Sequence, residues 1–91
     1  MEDKAKKDIP VEEQTEFFDA HVDEVDLAGI FLDLQEEAKV LARERLTKYY
    51  PKYGDGNFHK TAAQLRQEQL EEIADAVNYE IFKLYVEENG S

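Results

Sequence analysis

The stretch Leu27-Ala-Gly-Ile-Phe-Leu-Asp-Leu-Gln-Glu-Glu-Ala-Lys-Val-Leu-Ala-Arg-Glu-Arg-Leu-Thr-Lys-Tyr49 decides the fold. Its apolar residues, Leu27, Ile30, Phe31, Leu34, Ala38, Leu41 and Ala42, recur at helical spacing and form one stripe. Asp26 stands where an N-cap belongs, so the pattern predicts a helix over about 27–49. At 1.5 Å per residue that helix is about 35 Å long. Pro51, Gly54 and Gly56 stop it. Thr61-Ala-Ala-Gln64 then has the spacing of a capping box and opens a second helix over about 62–88. Leu70, Ile73, Val77, Ile81 and Leu84 share one face of it, and Asn89-Gly90 suits its C-cap. On the other side of the first helix, Pro10-Val-Glu-Glu suits a helix start. Phe18, Val22 and Val25 supply a short apolar stripe there, which predicts a third helix over about 10–22. The expected fold is all-α: a helical hairpin of two long helices after a short N-terminal one, in a single domain over 10–91. Residues 1–9 are expected to be a disordered tail.

From Ala76 onward Tyr79, Phe82, Tyr85 and Val86 add apolar surface around the rest of the last helix. One hairpin partner covers a helix on one side only, so further cover is expected from residues 10–25, from a second subunit or from a target protein. Pairing of hairpins into a dimeric helical bundle is the expected outcome.

Composition narrows the function classes. The chain has 91 residues and a formal charge of -11, with 22 acids against 11 bases. That surplus opposes direct nucleic-acid binding, which depends on Lys and Arg neutralising phosphates. The absence of cysteine leaves no disulfide, thiolate metal site or cysteine nucleophile. No apolar run reaches the roughly 18 residues of a membrane span, and Met1-Glu-Asp-Lys is unlike a secretory signal. A cytoplasmic protein without membrane contact is expected.

The acids are segregated. Between Pro10 and Ala38 stand Glu12, Glu13, Glu16, Asp19, Asp23, Glu24, Asp26, Asp33, Glu36 and Glu37, with no Lys or Arg among them. Residues 39–60 reverse the sign through Lys39, Arg43, Arg45, Lys48, Lys52 and Lys60. Such an acidic block steers a basic partner, and carboxylates spaced along a helix can imitate the phosphates of a nucleic acid. The expected partner is therefore a basic protein surface, such as that of a nucleic-acid-binding host protein. Glu12, Glu13, Glu16, Asp19, Asp23 and Glu24 are the candidate contacts, with Phe17 and Phe18 as apolar anchors. Solubility alone is the competing account of the acidity.

The loop joins base and aromatic in Lys48, Tyr49, Tyr50, Lys52, Tyr53, Phe58, His59 and Lys60. Two readings stand: a phosphate held by lysines and turn amides with a tyrosine stacked on a base, or aromatics capping the bundle end. His21 and His59 are too far apart in sequence to suggest a His-based zinc site.

Glu68, Glu72 and Asp75 line one face of the second helix. Lys52-Tyr-Gly-Asp55, Leu65, Glu68 and Glu71-Glu-Ile-Ala-Asp-Ala-Val-Asn-Tyr79 together resemble a pattern common in small phage-encoded helical proteins. The last stretch is also similar to the second half of the MazG-like nucleotide pyrophosphohydrolase motif, Glu72-Ile-Ala-Asp75 matching its Glu-x-x-Asp. Glu36-Glu37 matches the first half, with Val40 in place of its third Glu. The resemblance implies an all-α, Mg²⁺-dependent enzyme that cleaves nucleoside triphosphates to monophosphates. Glu36, Glu37, Glu72 and Asp75 would be its metal ligands, and Lys52 or Lys60 would lie near the phosphates. On the binding reading no cofactor is expected; on the enzymatic one it is Mg²⁺.

Overall fold

The structure, a computed structural model, describes residues 9–90. Every regular element among them is helical: α1 (Val11–His21), α2 (Leu27–Lys48) and α3 (Ala62–Glu88), with short 3₁₀ turns at Val22–Glu24, Tyr50–Tyr53 and Gly56–His59. The fold is all-α, with one short helix and then two long ones, and each helix begins and ends within two residues of its expected bounds. The tail expected over 1–9 lies outside the described residues apart from Ile9.

The helix ends follow from local chemistry. The Gly29 N–H donates to Asp26 Oδ1 at 3.0 Å, the side-chain cap of α2. At the start of α3 the Thr61 N–H donates to Gln64 Oε1 at 2.8 Å. The Gln64 N–H donates in return to Thr61 Oγ1 at 3.0 Å, completing the capping box. Gly90, with φ of +80°, follows Asn89, whose side-chain amide donates to the Tyr85 carbonyl at 2.8 Å. Between the long helices Gly54 takes φ of +67° and ends the 3₁₀ turn Tyr50–Tyr53.

The chain divides into two compact units. The first joins residues 9–25 to the C-terminal part of α3 from Ala76. Its centre is Ile81, the one buried apolar residue among those described. Burying such a side chain stabilises by about 2 kcal/mol. Phe17 packs edge-on against Tyr85 with ring centroids 5.2 Å apart, so residues 10–25 supply part of the cover that the end of α3 needs. Tyr79 and Phe82 pack edge-on against each other and remain exposed.

The second unit, Asp26–Asp75, contains α2, the loop and the first half of α3. No residue of α2 is buried. Phe31, Leu34 and Leu41 of its stripe are exposed by 46%, 48% and 54%, so the stripe lacks a close covering surface. In the loop Arg45 and Lys52 each lie over the Tyr49 ring, at 5.3 and 5.8 Å from its centroid. Tyr53 and Phe58 project to solvent rather than closing the end of a bundle.

Candidate protein-binding groove

In the first unit α1 and the end of α3 leave an open groove of about 690 Å³ between them. Thr15, Phe17 and Phe18 line it from α1, and Ile81, Phe82 and Tyr85 from α3. The apolar residues of these two segments outnumber the positions that one helix–helix contact can seal, and the groove is the remainder. Phe18 lines its floor half-buried. Phe17 also lines it, its ring stacked on His21 at 4.0 Å and edge-on to Tyr85.

Carboxylates flank the groove. Glu12, Glu16 and Asp19 stand at i, i+4 and i+7 on α1; by helical spacing Asp19 adjoins Thr15 and Glu13 adjoins Phe17 at the two edges, while Glu12 and Glu16 lie further round, Glu16 on the side away from the groove. All four are exposed, as are Asp23 and Glu24 in the following 3₁₀ turn. Among the described residues none of these six forms an ion pair. Of the six, Glu24 acts on His21 through its charge, and the other five are exposed carboxylates without an ion pair among the described residues.

His21 fastens α1 to the end of α3. Its Nδ1 donates to the Phe17 carbonyl at 2.9 Å, and its Nε2 lies 3.2 Å from a Glu88 carboxylate oxygen. Both partners are acceptors, so the ring satisfies both only as the imidazolium. Its pKa is raised above 6.5, first by the Phe17 hydrogen bond and then, against desolvation, by the charges of Glu88 and Glu24. The sequence pattern did not single this clamp out; the only sign of it was a histidine four residues after Phe17 on a helix.

The acids of the alternative site lie elsewhere. Glu36 and Glu37 on α2 and Glu72 and Asp75 on α3 are all exposed, and Glu36 reaches Lys39 at 3.7 Å. Among the described residues no three His, Asp or Glu side chains gather closely enough to hold a metal ion. Glu68, on the same line as Glu72 and Asp75, accepts from Lys60 Nζ at 2.6 Å. That lysine is engaged by a carboxylate. No helix among the described residues is long and apolar enough to cross a membrane.

Comparison of the chain with known protein families, curated proteins and solved structures found no match.

Proposed function

We propose that this chain is a small acidic binding protein that engages a basic surface of another protein through α1 and the groove beside it. The observation that carries this reading is that one short helix lines an open apolar groove and carries exposed carboxylates on its remaining surface, Glu13 and Asp19 next to the lining residues. Charge alone gives rate and orientation; an apolar anchor supplies the dwell time. Glu12, Glu13, Glu16 and Asp19 steer and orient the partner, with Asp23 and Glu24 extending the acidic field. Phe17 and Phe18 with Ile81 and Phe82 receive an apolar side chain, Phe17 being braced from behind by His21 and Tyr85. Nucleic-acid-binding proteins are the class that most often carries such a basic surface, and toward them the line of carboxylates acts as a phosphate mimic.

The test is a titration of the full ¹⁵N-labelled chain with a basic amphipathic Lys/Leu helical peptide, beside a polylysine of equal charge. The expected result is peptide-specific shifts at Phe18, Ile81 and Phe82 together with the acids of α1. Affinity should fall tenfold or more in the triple variant Glu12→Lys, Glu16→Lys, Asp19→Lys. Equal responses to peptide and polylysine, or a triple variant that binds unchanged, would overturn the reading.

A further inference from the structure

The groove has a titratable side chain built in behind its wall. Phe17 lines the groove, and its ring is stacked on His21 at 4.0 Å and packed edge-on against Tyr85, a second lining residue. His21 also ties the two helices together, through the Phe17 carbonyl on α1 at 2.9 Å and the Glu88 carboxylate on α3 at 3.2 Å. Little burial backs this tie, since Ile81 alone is buried among the described residues.

We infer that the groove is proton-gated: protonated His21 holds α1 against the end of α3 and Phe17 in the wall, and loss of the proton loosens both. The groove then takes an apolar side chain more tightly on the acid side of neutrality than on the alkaline side. This rests on the groove being the binding site proposed above and adds its regulation. The partners of the ring fix the sign. A carbonyl and a carboxylate both accept, so both ring nitrogens have to donate, and only the imidazolium does so. The neutral ring keeps one of the two bonds and sets a lone pair against the other acceptor. The charges around the ring act in the same direction, because Glu88 from α3 and Glu24 from the 3₁₀ turn both favour the cation. Residues 9–25 contain no lysine or arginine, and Lys83, the one base of residues 76–90, is paired with Glu80 at 3.2 Å. His21 is the one histidine of the unit, and histidine is the side chain whose ordinary titration falls between about pH 6 and pH 8. The hydrogen bond to Phe17 and, against desolvation, the two acids raise its pKa above 6.5, so the gate loosens as pH climbs through that higher value. Apparent affinity scales with the fraction of chains that hold the competent arrangement, and in a unit with so little burial that fraction follows the tie.

The full ¹⁵N-labelled chain is titrated with phenylbutanol, an uncharged apolar probe that leaves the acids of α1 out of the measurement. The dissociation constant read from amide shifts at Phe18, Ile81 and Phe82 should rise about threefold or more between about pH 6 and pH 8.5. In Glu88→Gln the rise should shrink, and in His21→Gln the constant should not change with pH. By reciprocity, saturating probe should raise the His21 pKa read from the imidazole resonances of the unmutated chain, a measurement that the folding of a variant does not touch. Binding at pH 6 that stays equally tight at pH 8.5, or a His21 titration that the probe leaves in place or lowers, would overturn the gate and leave the groove standing. Absence of localised shifts at every pH would overturn the gate in any case, and with the Lys/Leu peptide silent at the same residues the groove reading falls too.

Discussion

At the scale of single residues, Asp26 and Gly29 form a linked pair. The Asp26 carboxylate caps α2 through the Gly29 N–H, and a Cβ on Gly29 would run into that same carboxylate. Asp26→Ala should cost about 1 kcal/mol, the ordinary worth of an N-cap. Gly29→Ala sets a helix-propensity gain of about 1 kcal/mol against displacement of the cap, and the two nearly cancel. In the Asp26→Ala background the displacement has nothing left to remove. There Gly29→Ala should stabilise by most of that 1 kcal/mol. Urea denaturation of the four proteins in the cycle checks this. Additive effects of the two substitutions would show that the methyl is accommodated without moving the cap.

At the scale of elements, the attachment of α1 to the end of α3 carries a titration. The His21 pKa is raised in the folded chain, so the clamp contributes fully below the unfolded value of about 6.5. It is lost as pH rises through the higher folded value. Melting temperature should therefore decline from about pH 6 toward pH 8.5. In Glu88→Gln the decline should shrink, leaving the part due to the Phe17 carbonyl and Glu24; in His21→Gln it should vanish. A profile that keeps its slope in His21→Gln would assign the titration to another group. Sequence patterning anticipated the elements themselves, because caps and breakers are local: Asp26, Thr61 with Gln64, and Gly90 each act within a few residues. It also located the excess apolar surface after Ala76. What it did not resolve was that Phe17 does two things at once, lining the groove beside Phe18 while packing on His21 and Tyr85. That double role depends on where α1 crosses α3, and contacts some 65 residues apart in the chain leave no mark in local periodicity.

At the scale of the whole molecule, a charge of -11 attracts any divalent cation, and the question is whether attraction becomes coordination. A Mg²⁺ site needs near-octahedral oxygen ligands converging on one point. Glu36, Glu37, Glu72 and Asp75 are exposed, and among the described residues no three acidic or histidine side chains converge. Exposed carboxylates that do not converge attract a diffuse ion atmosphere, which monovalent salt screens over a Debye length of about 8 Å at physiological strength. Titration of the chain with Mg²⁺, followed by amide shifts, should give small changes spread over the acidic block from Pro10 to Ala38 and over α3. Raising NaCl to physiological strength should remove most of them, and Glu72→Ala should leave the rest in place. A saturable response centred on Glu36, Glu37, Glu72 and Asp75, persisting in salt and abolished by Glu72→Ala, would instead show that substrate or metal draws these helices together. The MazG-like chemistry would then have its ligands despite Val40, and the acidic surface would have to be reread as the mouth of an enzyme.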